Sequence, residues 1–225
     1  MGALFVTATG TDIGKTFVAA GLIGHFRAAG RAVDAIKPVV SGFDPASART
    51  SDPGVLLAAL GRSLTSAEID GISPWRFAAP LSPDLAARRE GRAVDFKAVV
   101  EFSHRAVAAR RDVLLIEGVG GIMVPLDETH TVLDWMTALR LPLLVVAGSY
   151  LGTISHTLTA LQVLARRNLE IAAVVVSESE GSATPLDDTV ATIARFVDPI
   201  EVIGLPRLPP GTITHPAFAR IAELL

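Results

Sequence analysis

The sequence predicts an α/β fold in which a parallel central sheet carries helices on both faces. Short, continuously apolar runs, typical of strands covered on both faces, alternate along the chain with segments of helical apolar spacing. This alternation is the pattern of a parallel sheet joined by crossover helices. With 225 residues, of which 50% are apolar, the chain can form a sizeable core, and we expect residues 1–225 to be a single domain.

The first predicted elements are a strand over residues 3–6, a polar turn that contains glycine, and a helix after Thr16. This order surrounds an anion with backbone N–H groups and a helix N-terminus. Gly14-Lys15-Thr16 matches the end of the pattern GxxxxGK(S/T), in which the lysine reaches the outer phosphates and the hydroxyl helps to hold Mg²⁺. We therefore predict a phosphate-binding loop in a P-loop NTPase-like sheet.

The predicted loop departs from this pattern at its start. Thr9 stands where the pattern has its leading glycine. Either Gly10 supplies the turn, or the loop is one residue longer with Ala8 at its base. An ordinary strand-to-helix turn is the alternative interpretation.

The second predicted strand covers residues 32–40. Pro38 cannot continue a central ladder, so Lys37 should lie at the carboxyl end of this strand, where open parallel sheets bind ligands. The connection that follows, up to residue 83, is rich in glycine, serine and proline. Apart from a short helix over residues 54–60 we expect it to be irregular. Loops of this length are usually functional, although a surface loop without a role is the alternative.

The remaining elements continue the alternation of helices and strands. The predicted helices cover residues 95–109, 132–139, 153–167, 185–197 and 218–224, and the predicted strands cover residues 112–117, 143–148, 171–177 and 201–205.

Three side chains outside the loop suit phosphoryl transfer, which needs cations around the phosphates and oxygen ligands for a metal. Glu117 ends an apolar strand, where an acid can bind Mg²⁺, and the glycine-rich segment after it lets backbone approach a ligand. Asp52 is placed like an N-cap for the helix that follows, so capping is its simpler interpretation. Lys37 either neutralises a second anion or is solvated.

Composition argues against several other classes of protein. The net charge is -3 and the basic residues are scattered, which argues against nucleic acid as a partner. The chain has no cysteine, its histidines show no ligand spacing, and no GxSxG motif is present. No apolar run approaches the roughly 20 residues of a membrane helix, and the first run is too short for a signal peptide. We expect a soluble, cytoplasmic protein without a membrane partner.

Several short motifs occur in order along most of the chain. They are FVTATGTDIGKT from residue 5, KPVVSG from residue 37, SD from residue 51, SP from residue 82, EGR from residue 90, VLLIEGVGG from residue 113, LDW from residue 133, LGTISHTLT from residue 151 and GLP from residue 204. In this order they resemble the motifs of the dethiobiotin synthetase family, the ATP-dependent enzymes of biotin synthesis. The combination is specific, although no single motif would be.

The resemblance implies an ATP- and Mg²⁺-dependent ligase that closes a ring. One amine of 7,8-diaminononanoate would capture CO₂, supplied as CO₂ or bicarbonate, to form a carbamate. The carbamate would take the γ-phosphoryl group of ATP, and the second amine would close the ureido ring. A carbamate and a triphosphate repel each other, so Lys15 and Lys37 would neutralise both anions, and proximity would favour the intramolecular ring closure.

The resemblance also assigns roles to single residues. The implied catalytic residues are Lys37, Lys15, Thr11 and Ser41, and those that contact the substrate within the chain are Thr11, Lys37 and Ser41. The implied Mg²⁺ ligands are Thr16, Asp52 and Glu117. The implied nucleotide-binding residues are Asp12, Gly14, Lys15, Thr16, Glu117, Gly118, Gly120, Gly121, Ser177, Pro206 and Leu208.

In the family, a helix N-terminus of the neighbouring subunit binds the substrate carboxylate. This helix start maps to Leu151, Gly152 and Thr153, and it implies a homodimer with a shared substrate site.

The chain departs from the family at three positions. Ala8 replaces the first glycine of the loop, and Ser155 replaces an asparagine that is frequent after LGT. Ser177-Glu178 replaces the Asn-Asp pair that often reads adenine, so the sequence leaves nucleotide selectivity open.

Two other kinds of P-loop protein are alternatives to this interpretation. Regulatory partitioning-type ATPases carry an additional lysine early in the loop, but none precedes Lys15 in this chain, and residues 217–225 do not form a basic amphipathic tail. Ligases of the cobyrinate amidotransferase type carry a glutaminase, for which this chain lacks the length and the cysteine.

Overall fold

The computed structural model describes residues 2–209, 212 and 214–224. The strands are β1 (Ala3–Ala8), β2 (Val33–Ile36), β3 (Val39–Ser41), β4 (Trp75–Phe77), β5 (Val113–Glu117), β6 (Leu143–Gly148), β7 (Ile171–Ser177) and β8 (Val202–Leu205). The helices are α1 (Lys15–Ala28), α2 (Asp52–Leu60), α3 (Ser66–Ile72), α4 (Pro83–Arg89), α5 (Phe96–Ala109), α6 (Val132–Leu139), α7 (Thr153–Arg166), α8 (Leu186–Val197) and α9 (Pro216–Glu223). Within the described ranges, no helix has both the length and the apolar character needed to cross a membrane.

Six strands form one parallel sheet in the order β2-β5-β1-β6-β7-β8. The predicted fold class is confirmed. β1 lies between β5 and β6, so the loop that follows β1 leaves the middle of the sheet and not one of its outer strands. The carboxyl ends of neighbouring strands meet at this edge, where open α/β sheets bind their ligands.

The core explains why the central strands are continuously apolar. Every residue of β5 and of β6 is buried, as expected for strands with both faces covered. On one face, Phe5 meets the edge of the Trp135 ring at a centroid distance of 4.8 Å. The Trp135 indole N–H donates to Ser103 Oγ at 3.1 Å, which satisfies a buried donor. These contacts join α5 and α6 to the sheet.

The second strand differs from the prediction, because residues 32–40 do not form one strand. β2 ends at Ile36, and β3 pairs with β4 in a separate two-stranded parallel sheet. Pro38 cannot donate to a ladder, and the chain leaves the main sheet at this residue. The expectation that Lys37 follows the carboxyl end of the strand is confirmed.

The connection up to residue 83 is more regular than expected. It contains a 3₁₀ helix over Pro45–Thr50, followed by α2, α3 and β4, and α4 begins at Pro83, where an irregular end was expected. Thr65 caps α3 by accepting the backbone N–H of Glu68 at 3.2 Å, and proline stands at the start of both the 3₁₀ helix and α4. These are ordinary start signals, but the elements they begin are too short to show a helical period.

Replacing Gly54 in α2 by alanine is expected to lower the free energy of unfolding by about 1–3 kcal/mol, the usual effect of overpacking. A Cβ atom at this position would lie 2.0 Å from the backbone oxygen of Ala48 in the 3₁₀ helix, so the two backbones would have to separate. Urea denaturation measures the loss. The control is Gly71→Ala in α3, where a Cβ would meet no atom of the described residues within 4 Å; this change should be neutral or stabilising by up to about 1 kcal/mol. Equal effects of the two changes would contradict the expectation.

Candidate active site

A cavity of about 700 Å³ opens beside the residues that follow the carboxyl ends of β1, β2 and β5. It collects residues from motifs that lie far apart in the sequence. The predicted site residues that line it are Thr11, Asp12, Gly14, Lys15, Thr16, Lys37, Ser41, Asp52 and Gly120.

The loop between β1 and α1 has the geometry of an anion cradle. Its left-handed residues are Asp12, with φ 56°, and Gly14, with φ 99°. Gly14 also cannot carry a side chain, because a Cβ there would lie 2.7 Å from Ser177 Oγ. Gly10 has neither constraint, so Asp12 and Gly14 supply the turn for which Gly10 was considered. The Lys15 ammonium folds back on the loop and donates to Gly10 O at 3.1 Å.

Ala8 belongs to the strand and not to the loop. β1 runs two residues beyond the predicted end at residue 6, and Ala8 is buried opposite Val146 of β6. Thr9 N continues this pairing by donating to Val146 O at 3.0 Å. In extended backbone an alanine carries no strain, and the loop begins at Thr9.

Two acids, a lysine and a hydroxyl meet beside the loop. The Lys37 ammonium lies 2.7 Å from Glu117 Oε1 and 3.1 Å from Asp52 Oδ2, and it donates to Gly118 O at 2.9 Å. Thr16 Oγ1 lies 2.8 Å from Asp52 Oδ1 and 2.7 Å from Glu117 Oε1. The Lys37 and Glu117 side chains are only 2% and 1% exposed. A buried charge pair of this kind is costly unless its groups are well paired.

The charges in this cluster shift one another's protonation. Burial, followed by repulsion from Lys37, lowers the pKa of the Lys15 ammonium to about 8. Burial opposes the charge of Lys37 as well, but the attraction of Glu117 and Asp52 outweighs it and raises the pKa of Lys37. Burial alone would raise the pKa of Asp52, yet Lys37 and the Thr16 hydrogen bond lower it. The site therefore holds Lys37 charged, while Lys15 lacks a comparable counter-ion.

Asp52 is not the N-cap of α2. Ser51 holds that position, and its hydroxyl accepts the backbone N–H of Gly54 at 3.4 Å. Asp52 is the first residue of the helix, and its carboxylate instead reaches Thr16 and Lys37. The capping interpretation of Asp52 was wrong because the serine one residue earlier takes that role.

The three oxygen-bearing residues suit a small, hard cation. Octahedral Mg²⁺ with bonds of 2.0–2.1 Å places adjacent ligand oxygens about 2.9 Å apart, close to the separations around Thr16 Oγ1. Glu117 Oε2 is buried, and it has no hydrogen-bond partner among the described residues. A buried carboxylate oxygen without a donor fits a bound cation.

A second cavity of about 630 Å³ adjoins the first, and Asp12, Gly14 and Phe17 line both. The predicted residues Ser177, Pro206 and Leu208 line this second cavity. Six further residues of its wall were not predicted from the sequence as site residues. They are Ile13, Ser179, Glu180, Arg207, Pro209 and Thr212. Glu178, noted only as a family departure, accepts the backbone N–H of Arg207 at 2.8 Å, and Arg207 pairs with Glu180 at 2.9 Å.

The wall of the first cavity also contains residues that sequence reasoning missed. They are Phe17, Pro80, Leu81 and Val124, while Val40 and Val119 appeared only inside longer motifs. Ser82 and Pro83, quoted above only as a motif, lie beside them. The proline-rich composition was the signal for residues 80 and 81, and neither it nor the SP motif gave a position in space. The apolar members make part of this wall suitable for a hydrocarbon chain.

Other predicted residues lie outside the two cavity walls. Leu151 is 95% exposed, Gly152 begins α7 in left-handed backbone, and Thr153 Oγ1 donates to Gly148 O at 2.6 Å. Gly121 packs on the phosphate loop, since a Cβ there would lie 3.2 Å from Thr9 O. Gly118 contributes its carbonyl oxygen, which accepts a hydrogen bond from the Lys37 ammonium.

A parallel sheet with a GKT loop between β1 and α1, and an acid at the end of the adjacent strand, defines the class of P-loop NTPases. A family model described as an AAA domain matches residues 2–212. The chain is 49% identical over 198 residues to the ATP-dependent dethiobiotin synthetase BioD of Acidiphilium cryptum (strain JF-5), which covers 88% of this chain and 89% of that protein. It is 50% identical over 208 residues to the protein of the same name from Caulobacter sp. (strain K31), with 92% and 89% covered. The chain belongs to the ATP-dependent dethiobiotin synthetase family and is an enzyme, as the motifs predicted.

Solved structures with little sequence identity share the fold. A chain of the MinC:MinD cell division protein complex of Aquifex aeolicus superposes with a TM-score of 0.56 at 12% identity, covering 98% of this chain and 86% of that one. A ParA family ATPase from Chlorobium tepidum TLS gives 0.51 at 16% identity, with 92% and 84% covered. At such identities the likeness concerns the fold alone.

Proposed function

We propose that the enzyme forms dethiobiotin from 7,8-diaminononanoate and CO₂ or bicarbonate, with cleavage of ATP to ADP and phosphate. The observation that carries this proposal is a pair of buried lysines in one cavity, Lys15 on the phosphate loop and Lys37 against two carboxylates. A bound triphosphate needs a positively charged side chain beside it, and a carbamate next to the triphosphate needs a second one.

We propose that ATP spans both cavities. Its phosphates would lie on the backbone N–H groups of the loop and at the N-terminus of α1, and their negative charge would be the counter-ion of the Lys15 ammonium. The base would enter the second cavity, between the Ser177–Glu180 segment and the Pro206–Leu208 segment. Asp12, Gly14 and Phe17 belong to both walls, which supports one continuous ligand.

The diamine would occupy the outer part of the first cavity. The apolar side chains of Val40, Leu81, Val119 and Val124 suit its hydrocarbon chain. Ser41 Oγ is buried and lacks a hydrogen-bond partner among the described residues, so it is available to a polar group of the substrate. Thr11 lies on the same wall as part of the phosphate loop.

Thr16, Asp52 and Glu117 would hold Mg²⁺. When bound, the ion would supply positive charge to the β- and γ-phosphates and to the leaving ADP. The Lys37 ammonium contacts the same two carboxylates, so it would turn toward the carbamate when the ion is present.

We propose three chemical steps. One amine adds to CO₂ and loses a proton, which leaves a carbamate that Lys37 neutralises. A carbamate oxygen then attacks the γ-phosphorus, the bond to ADP breaks, and a carbamic-phosphoric anhydride results. The second amine attacks the carbonyl carbon, the bond to phosphate breaks, and the ring closes as the amine's proton leaves with the phosphate. Lys15 and Lys37 stabilise the charge that develops between donor and acceptor, and binding in one cavity holds the reacting groups in line.

A homodimer is proposed to complete the substrate site. Leu151, Gly152 and Thr153 do not line either of the two cavities. The exposed Leu151 and Gly152 at the start of α7 can present backbone N–H groups to a carboxylate bound by a second copy, whereas Thr153 N already donates to Tyr150 O. Light scattering that finds an active monomer would contradict this arrangement.

Hydrolysis of ATP is expected to require 7,8-diaminononanoate, bicarbonate and Mg²⁺ together. The phosphoryl acceptor exists only after the carbamate forms, and Lys37 and Ser41 are placed for that acceptor rather than for water. Coupled assays of ADP release with each component omitted in turn would measure this dependence. Turnover that does not respond to the diamine would contradict the proposed reaction and favour a regulatory ATPase or another ligase of the superfamily.

A further inference from the structure

Two serines join the loops that follow β6 and β7. The paired residues of these strands end at Gly148 and Ser177. Beyond them, Ser149 N donates to Ser179 Oγ at 3.1 Å and Ser179 N donates to Ser149 Oγ at 3.0 Å. Ser149 is completely buried, so loss of the Ser179 hydroxyl would leave a buried N–H group without a partner.

The two loops are also in close steric contact. A Cβ atom on Gly148 would lie 2.7 Å from Ser179 Oγ and 2.9 Å from the Tyr150 ring. Nothing larger than glycine fits between the end of β6 and the loop after β7. A displacement of one loop therefore displaces the other.

Ser179 belongs to the wall of the second cavity. It stands there between Glu178 and Glu180. A nucleotide base in that cavity would contact this loop and restrict its positions.

Ser149 begins a segment that is held together by its own hydrogen bonds. Thr153 Oγ1 donates to Gly148 O at 2.6 Å, and Thr153 N donates to Tyr150 O at 3.0 Å. Tyr150 Oη and His156 Nδ1 are 3.0 Å apart. These hydrogen bonds connect the exposed start of α7 to the segment that begins at Ser149.

We propose that Ser149 and Ser179 are positioning residues that couple the base cavity to the start of α7, so that nucleotide and diamine each favour the other's binding. The inference rests on the proposed function, because it places the base in the second cavity and the diamine carboxylate at α7. In a dimer the coupling links the nucleotide of one subunit to the diamine in its partner's site.

The test measures how strongly the wild-type enzyme binds the Mg²⁺ complex of a non-hydrolysable ATP analogue, by calorimetry, with and without saturating 7,8-diaminononanoate. The diamine is expected to tighten nucleotide binding by about fivefold or more. Ser179→Ala should bring this ratio to about one, since the connecting hydrogen bond is lost, and Ser149→Ala should do the same. Ser179→Thr keeps the hydroxyl and should preserve the ratio. Linkage requires the nucleotide to change the affinity for the diamine by the same factor.

Ser182→Ala is the matched control. Ser182 lies in the same loop, but among the described residues its hydroxyl bonds only within the loop, to Thr184 at 3.0 Å. This variant should retain the wild-type ratio. Weaker binding of both ligands with an unchanged ratio in Ser179→Ala would show a merely structural role and overturn the inference, as would a wild-type ratio near one. Because the readout is a ratio, partial destabilisation of a variant cancels. The omission assay of ATP turnover separates failure of the coupling from failure of the proposed reaction.

Discussion

Replacing Lys37 by glutamine is expected to lower diamine-dependent ATP turnover by about 100- to 1,000-fold, the usual effect of removing a group that stabilises transition-state charge. Lys37 is the buried cation that contacts both carboxylates, and it lines the same cavity as Ser41. Glutamine keeps much of the side-chain length but cannot neutralise a carbamate. Steady-state assays at saturating ATP, diamine and bicarbonate would measure the loss in kcat.

Nucleotide affinity separates Lys37 from Lys15. Lys37→Gln should bind the Mg²⁺ complex of an ATP analogue with little loss, because the loss of the ammonium leaves Asp52 and Glu117 free for the metal ion. Lys15→Gln should weaken both binding and turnover, since Lys15 is the counter-ion on the loop itself. Equal nucleotide affinity in the wild type and Lys15→Gln would count against the phosphate loop, and full activity of Lys37→Gln would count against the carbamate site.

The Lys37 variant also needs a stability control. Removing one partner of a buried pair leaves the other charge uncompensated, typically at a loss of about 3–5 kcal/mol, and Glu117 would be that charge. Excess Mg²⁺ should recover part of the loss, since the ion would bind the native carboxylates. Thermal melts with and without Mg²⁺ therefore distinguish lost catalysis from lost folding.

The sequence predicts well those elements whose own residues carry a clear apolar pattern. Helix Val132–Leu139 and strands Leu143–Gly148 and Ile171–Ser177 have the bounds that the apolar pattern predicted. Each strand consists mainly of consecutive apolar residues, the pattern of strands that are covered on both faces. The separate strand β3 could not be found in the same way, because its partner β4 lies 36 residues away and consists of only three residues.

The same distinction applies to the candidate site: local motifs predicted single residues, but not how residues from distant elements contact one another. Motifs identified Lys37, Asp52 and Glu117 one by one, because each follows a recognisable local pattern. That the Lys37 ammonium lies against both carboxylates depends on the relative position of β2, α2 and β5, and no local pattern states it. The Ser149 and Ser179 pair was missed for the same reason, since two serines in separate loops carry no signal in the sequence.

Glu117→Gln is expected to raise the Mg²⁺ concentration required for half-maximal turnover by at least about 10- to 100-fold, the range seen when even outer-shell partners of a metal are changed. Glu117 offers two oxygens, one shared with Lys37 and Thr16 and one buried without a hydrogen-bond donor among the described residues. An amide keeps the shape but loses the charge, and its NH₂ group repels a cation. Titration of ATP turnover with Mg²⁺, together with Mn²⁺ binding followed by electron paramagnetic resonance, would measure the shift.

The matched control is Glu170→Gln. Glu170 is exposed and precedes β7, at the end of the sheet opposite the site, so the Mg²⁺ requirement of this variant should equal that of the wild type. An unchanged requirement in Glu117→Gln would mean that the Glu117 carboxylate serves only Lys37 and Thr16 and that the metal is held elsewhere.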